Sequence, residues 1–314
     1  MKAVIMKGTG AVSQLNVEEI DQPEINANEL LIKTKAFSIN PIEVKTRKGN
    51  RFSEPLLQDK PSILGWDAAG VVEAVGKNVT DFKPGDRVFG VIGFPDFGKT
   101  YANYFVAKEK DLCRIPENIE FKEAAVSAIA AITAYQALTH DAKLKKGTKL
   151  LIHAASGGVG HFGIQIAKQL GAEVYATASA EKRDFVMRLG ADHFIDYKTA
   201  VFEEVIPEMD VVFDLIGGDY IDRSLTILKK GGLIISIPSA TNAEVEAKAK
   251  AKNCVGIRFK MTADKTDLQA IANLMTAGHL KPVVSKIFTI DEIQEAHSAL
   301  EAGHTTGKIA VTTT

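Results

Sequence analysis

Residues 149–171 read KLLIHAASGGVGHFGIQIAKQLG, and this stretch decides the fold. Residues 149–153 form an apolar, strand-like run, and residues 154–160, AASGGVG, are small and glycine-rich. A helical pattern follows, in which Val159, Phe162, Ile166 and Leu170 share one face before Gly171 supplies a stop. A strand running through glycines into a helix suits a pyrophosphate, because the helix N-terminus offers unpaired N–H groups and the positive end of its dipole. On that fingerprint the three glycine positions are Ala155, Gly157 and Gly160. The second lets backbone approach phosphate and the third lets helix and strand pack closely, whereas alanine at the first departs from the pattern.

Working outward, apolar runs at 149–153, 173–177, 193–195, 210–215, 233–237 and 254–258 alternate with helical segments. That alternation predicts six strands in a doubly wound parallel sheet. Residues 173–177, EVYAT, end in Ala178 and Ser179 without the acid that accepts from a ribose 2′-hydroxyl in NAD sites. Ser179 reads instead as an N-cap, with Lys182 and Arg183 in the turn after it. Cations at a helix start oppose its dipole. A bound anion would resolve the conflict, so a 2′-phosphate and hence NADPH is the expectation; a solvated basic helix start is the plainer alternative.

Residues 1–117 are β-rich, with short runs at 3–6, 30–35, 71–75 and 88–92 separated by turns such as KPGD at 83–86. No long amphipathic helix stands out there, so a small barrel or bent sheet is predicted. Residues 291–314 offer one amphipathic helix and a strand at 308–311 with no partner in the six-strand set. That strand is expected to return to the first domain. Residues 243–252, rich in Ala and Lys, read as a surface helix or loop.

The chain has 314 residues, 46% of them hydrophobic and 25% charged, as in an ordinary soluble protein of about two domains. A net charge of −1 argues against nucleic acid or anionic lipid as partner. Two distant cysteines, Cys113 and Cys254, fit a reducing compartment and exclude an all-cysteine zinc site. Residues 124–138 are the longest weakly polar segment, too short for a membrane span. With no signal or transit pattern at the N-terminus, a cytoplasmic protein is expected.

Three other motifs fail on context. Residues 93–100, GFPDFGKT, match the P-loop pattern, with Asp210 to Asp214 as a possible acidic strand. However, Pro95 removes a backbone donor, Phe94 and Phe97 crowd the loop, and a strand-like run follows instead of a helix. Tyr104 and Lys108 have the spacing of a reductase pair, but precede the glycine loop in a β-like segment. Ser156 sits in a degenerate nucleophile elbow with Ala154 before it and no oxyanion loop, which makes a serine hydrolase the weaker enzyme alternative. The seven histidines show no ligand spacing.

Several long motifs in order give the whole chain a family resemblance. They are residues 40–49, NPIEVKTRKG; 64–72, LGWDAAGVV; 75–88, VGKNVTDFKPGDRV; the loop 154–160; and 303–308, GHTTGK. The chain resembles the zinc-independent quinone oxidoreductases and enone reductases of the medium-chain dehydrogenase/reductase superfamily. The resemblance implies an α/β fold with a GroES-like β-rich catalytic domain, 1–117 with 260–314, and a Rossmann domain, 118–259. It implies NADPH held by Ser156, Gly157, Gly158 and Val159 at the pyrophosphate, and by Ser179, Lys182 and Tyr197 around the 2′-phosphate. Thr133 would lie beside the phosphate–nicotinamide part, and Leu215, Gly217, Ser236 and Pro238 would line the adenosine and nicotinamide sides. Asn40 would stand near the reacting carbon as a nicotinamide or substrate partner and so as the catalytic candidate; a turn residue before Pro41 is its plain reading.

The implied reaction is hydride transfer to a quinone or to the C=C bond of an α,β-unsaturated carbonyl. Phe52, Trp66, Phe94, Phe97 and Tyr101 are the expected apolar pocket, and a homodimer is the expected assembly. An NADPH-binding structural or sensor protein of the same fold is the alternative outside enzymes. In zinc-dependent relatives the motif at 65–67 is Gly-His-Glu; here it is Gly65-Trp66-Asp67, and an indole N–H cannot bind zinc. The cysteine those relatives carry near Asn40 is absent too, so no metal is expected.

Overall fold

A computed structural model describes residues 1–313. In chain order its strands begin with β1 (Lys2–Met6), β2 (Leu15–Glu19) and β3 (Leu30–Ser38). After helices α1 (Pro41–Lys48) and α2 (Ser53–Gln58) come β4 (Asp67–Val75), β5 (Arg87–Val91), β6 (Tyr104–Ala107) and β7 (Leu112–Arg114). Helix α3 (Phe121–Gln136) leads to β8 (Lys149–Ile152), α4 (Gly160–Gln169), β9 (Glu173–Ala178), α5 (Arg183–Arg188) and β10 (His193–Asp196). Then follow α6 (Phe202–Val205), β11 (Met209–Asp214), α7 (Asp219–Leu225), β12 (Leu228–Ser236), α8 (Val245–Ala251) and β13 (Val255–Arg258). The last elements are α9 (Lys265–Thr276), β14 (Val284–Thr289), α10 (Ile293–Glu301) and β15 (Lys308–Thr312).

Two compact units result, one of Met1–Ile132, Thr262–Gly278 and Pro282–Thr314, the other of Thr133–Met261 and His279–Lys281. The first is built on a sheet of order β14-β15-β3-β4-β5-β7, with β6 also pairing β3. Its pairings are antiparallel except β14 with β15. Strand β15 returns to β3, as its lack of a partner elsewhere predicted, with Val311 opposite Phe37. Strand β14 is an addition: Val284, Ser285 and Lys286 are half-buried or exposed, so the stretch carries no apolar alternation to read. Two short helices, α1 and α2, also interrupt a segment that reads as all β. Strand β4 starts at Asp67, four residues before its first valine, because the small residues Ala68, Ala69 and Gly70 pack against β3 and β5.

The second unit is a six-stranded, wholly parallel sheet of order β10-β9-β8-β11-β12-β13. This is the doubly wound Rossmann order, which reverses direction between β8 and β11. Strands buried on both faces read as continuous apolar runs, and Leu150, Leu151, Ile152, Val212, Phe213, Ile234 and Ile235 are fully buried. Helix α4 is buried on every side, from His161 through Ala167, which is why its apolar positions extend beyond one stripe.

Candidate dinucleotide and catalytic site

The loop 154–160 leaves β8 at the strand-order reversal, the place where open α/β sheets bind ligands. The Ala155 N–H donates to the Thr177 carbonyl at 3.0 Å and the Gly157 N–H to the Ala154 carbonyl at 2.9 Å, which fixes the turn. Ala154 takes φ of 47°, a left-handed conformation unusual for a residue with a Cβ. Among the described residues, no acceptor is paired with the backbone N–H of Ser156, Gly158 or Val159. Three free donors at the start of a ten-residue helix fit a pyrophosphate. Gly160 has no room for a side chain: a Cβ there would lie 2.5 Å from the Ala154 carbonyl oxygen. The third glycine position therefore does the packing that the fingerprint assigns to it.

At the end of β9, Ser179 is buried and extended, and begins a 3-10 turn, Ala180–Lys182. Lys182 is half-buried, and Tyr197, 48% exposed, lies alongside through its N–H to the Ala178 carbonyl. An acid does stand here, although not on the strand. The backbone N–H of Glu181 itself, then the Ser179 hydroxyl, bond the Glu181 carboxylate and hold its pKa below the ordinary value. Lys198 pairs with the same group at 3.7 Å.

The ends of β11 and β12 are tied by Asp214, which sequence reasoning noticed only as an acidic-strand candidate. Its Oδ1 accepts from the N–H groups of Ile216 and Gly217, both at 2.9 Å, and its Oδ2 accepts from Ser236 Oγ at 2.6 Å. The Ser236 carbonyl in turn accepts from Asn242 Nδ2 at 2.7 Å. One buried carboxylate thus sets the rims that carry Leu215, Gly217, Ser236 and Pro238. A run of apolar strand residues ending in Asp, followed by glycines, is the signal that could have marked it. Thr133 is buried near the middle of α3.

In the first unit, four of the five expected pocket residues converge. Trp66 is buried, and the rings of Phe52, Phe94 and Phe97 lie 5.8, 6.2 and 6.4 Å from it. These three are half-buried, so they present apolar edges around a tryptophan whose N–H is already taken by the Asp96 carbonyl at 2.6 Å. Tyr101 does not join them. It is fully buried, stacks on Phe37 at 4.5 Å, and its hydroxyl lies 3.3 Å from His297 Nε2.

Asn40 is the N-cap of α1, followed by Pro41 at the first helical position. Its N–H donates to Glu43 Oε2 at 2.9 Å. Lys308 Nζ donates to Asn40 Oδ1 at 2.5 Å and to the Ile39 carbonyl at 3.0 Å. The Asn40 Nδ2 group lies 3.2 Å from both Asp67 carboxylate oxygens and 3.3 Å from Glu43 Oε1. Ser38 Oγ adds a bond to Asp67 Oδ2 at 2.8 Å. Burial, then the charge of Asp67, pushes the Glu43 carboxyl up to about 8. Burial likewise raises Asp67 and lowers Lys308. Glu43 and Lys308 lie within the motifs at 40–49 and 303–308, but the sequence assigns neither a role: Glu43 stands where the resembled family often has Asp, and Lys308 has no local chemical partner.

The rival motifs resolve structurally. No helix follows residues 93–100; the chain runs through a bend into β6, so the P-loop match lacks its helix. Tyr104 lies on that strand. His153, the histidine nearest Ser156 in sequence, is held between Thr177 Oγ1 at 3.1 Å and Ser224 Oγ at 2.9 Å. Among the described residues, no three His, Cys, Asp or Glu side chains are grouped to hold a metal ion.

A parallel sheet of Rossmann order with a glycine loop at its reversal, together with a β-rich unit closed by a returning strand, defines a medium-chain dehydrogenase/reductase. Residues 26–117 match the alcohol dehydrogenase GroES-like domain, and residues 189–311 match a zinc-binding dehydrogenase family. The chain is 35% identical to an NADPH-dependent alkenal/one oxidoreductase, chloroplastic, of Arabidopsis thaliana, covering 99% of this chain and 79% of that one. It is 31% identical to the quinone oxidoreductase of Homo sapiens, covering 98% and 97%. Among solved structures, the quinone oxidoreductase from Coxiella burnetii superposes with a TM-score of 0.95 at 36% identity, covering 100% and 99%. The Escherichia coli quinone oxidoreductase complexed with NADPH gives 0.88 at 27%, covering 100% of both chains. The chain belongs to the zinc-independent quinone oxidoreductase and enone reductase family of the medium-chain dehydrogenase/reductase superfamily.

Proposed function

We propose that the protein is an NADPH-dependent reductase that delivers hydride to a quinone or to the C=C bond of an α,β-unsaturated carbonyl without zinc. The observation that carries this reading is the loop 154–160, with three unpaired N–H groups and a Gly160 packed against Ala154. The printed activities of the relatives support it. We assign residues 118–259 to cofactor binding and 1–117 with 260–314 to the catalytic domain.

The nicotinamide supplies hydride when bound; the chain supplies binding, orientation and dryness. Ser156, Gly158 and Val159 hold the pyrophosphate through their free backbone N–H groups, and Gly157, whose N–H closes the turn onto Ala154, lets the backbone approach it. Ser179, Lys182 and Tyr197 receive the 2′-phosphate, and Thr133, Leu215, Gly217, Ser236 and Pro238 line the rest of the cofactor. Phe52, Phe94 and Phe97, backed by the buried Trp66, form an apolar wall for a flat conjugated acceptor, and Asn40 orients the reacting groups. With Trp66 at the ligand position of the zinc-dependent relatives, the acceptor is one that takes hydride without a Lewis acid.

Among the described residues no helix is long and apolar enough to cross a membrane. Two buried, free cysteines accord with a cytoplasmic, reducing setting, and a homodimer is the expected assembly. The deciding assay follows NADPH and NADH oxidation against a panel of quinones and enones, with dissociation constants for both nucleotides. Tighter NADPH binding and turnover of at least one acceptor class are expected. Equal or NADH-favouring affinity overturns the cofactor, and no turnover overturns the reductase.

A further inference from the structure

Glu43, Asp67 and Lys308 come from α1, β4 and β15, and each is at most 4% exposed. One cation therefore faces two acids in the interior. With all three ionised, the group would hold an uncompensated buried charge, which protein interiors remove by protonation. The hydrogen bonds indicate which acid keeps the proton. Asp67 is supported as the anion by Ser38 Oγ at 2.8 Å and by Asn40 Nδ2 at 3.2 Å to both oxygens. Glu43 has backbone N–H groups, its own and that of Asn40 at 2.9 Å, and a 3.3 Å contact to Nδ2, but no hydroxyl donor like Ser38, and the Asp67 charge beside it favours its neutral form.

In that charge state every Asn40 side-chain atom has a defined role. Lys308 fixes Oδ1 as the acceptor, and Asp67 draws the Nδ2 hydrogens. If Glu43 ionises, two anions compete for one amide group and outnumber the single buried cation. The other titratable groups that face this cluster do not supply the balance. Tyr101 is held neutral by burial, with the charge of Asp67 adding to the effect. His297 is held neutral by burial, with its pKa near 3. The Arg47 charge is spent on Glu301.

We propose that Glu43, held in its neutral form, and Lys308 are positioning residues that together fix the carboxamide of Asn40 for hydride transfer. This deepens the reductase reading above and rests on it for the role of Asn40. The pH dependence has a definite sign. Burial raises the Glu43 pKa to about 8, so the neutral form persists through neutral pH and is lost as pH rises through that value.

Two measurements test the proposal. Infrared difference spectroscopy on the full chain, without substrate, reads the carbonyl stretch of a protonated carboxyl. The band is expected at neutral pH, should fade as pH rises through about 8, and should be missing from Glu43→Gln. Its absence from the unmodified protein at neutral pH overturns the proposal. Steady-state reduction across pH then reads the consequence. The unmodified enzyme should lose kcat at alkaline pH, and Glu43→Gln, which keeps the shape of the neutral acid, should lack that limb. Glu43→Gln should also retain about tenfold more kcat than Glu43→Ala, and Lys308→Met should lower kcat about 100-fold with little change in dinucleotide affinity, the range of misplaced catalytic geometry. An alkaline limb shared by Glu43→Gln, or equal losses in the Gln and Ala variants, overturns the positioning role. No turnover by the unmodified enzyme overturns the reductase reading itself, and the infrared result still decides the charge state of Glu43.

Discussion

The indole N–H of Trp66 donates to the carbonyl oxygen of Asp96 at 2.6 Å, across the loop that carries Phe94 and Phe97. The polar atom of the only tryptophan is thereby satisfied inside the protein, and its rings are left to pack. Trp66→Phe removes the donor and part of the volume, and should cost about 1–3 kcal/mol. Trp66→Ala leaves a cavity and should cost roughly 3–5 kcal/mol. Denaturant unfolding measures both. Because the three phenylalanines that present the apolar edges pack on Trp66, KM for quinones should rise in Trp66→Phe while dinucleotide affinity holds.

Gly160→Ala tests the phosphate loop directly. The added carbon would meet the Ala154 carbonyl oxygen at 2.5 Å, so helix α4 must move away from the loop. Dinucleotide affinity, read by quenching of protein fluorescence, should fall at least about tenfold, the equivalent of about 1.4 kcal/mol. Unchanged affinity would remove the loop from the cofactor site.

Asp214→Ala leaves the N–H groups of Ile216 and Gly217 and the hydroxyl of Ser236 without their acceptor. Each unsatisfied buried group costs about 1–3 kcal/mol, so a large loss of stability is expected. Asp214→Asn keeps one acceptor oxygen and should lose less. In the Asn variant, dinucleotide affinity should weaken even where the fold survives, because Gly217 and Ser236 belong to the rim.

His153 predicts the acid limb of stability. Burial lowers its pKa from 6.5 to about 3, and the charge of Arg223 adds to the effect. The unfolded chain takes up the proton first as pH falls. Stability from this group is therefore full above 6.5 and declines as pH falls toward about 3, by an amount on the order of a few kcal/mol. His153→Gln should flatten that decline in unfolding midpoints measured across acidic pH.

The sequence carried those parts of the fold whose signals are local. The run into residues 154–160 predicted strand, loop and helix, and alternating segments predicted the parallel sheet. The missing partner of residues 308–311 even placed β15. Strand β14 escaped because exposed Ser285, Lys286 and Ile287 stand in a row and break any alternation. Tyr101 was grouped with Phe94 and Phe97 by nearness in sequence, yet the chain turns beyond Gly98 and sends it to Phe37 and His297. Glu181 was passed over because the expected acid sits on a strand end, and here it reaches back from a turn. The Asn40 frame was illegible for a different reason: its ammonium lies 268 positions away, and the motif that ends at Lys308 does not reveal its partner.

That long-range closure has a consequence for how the chain is made. Strand β3 leaves the ribosome early, but its neighbour β15 follows only after the entire Rossmann unit has been translated. In the interval, residues 36–38 of β3 lack their edge partner and the buried acids of the first unit lack their counter-ion. The Rossmann unit, nearly continuous in sequence, can fold during synthesis, whereas the first unit matures late. Nascent chains stalled before residue 308 should therefore show a protease-resistant Rossmann core beside a first unit that is still cleaved.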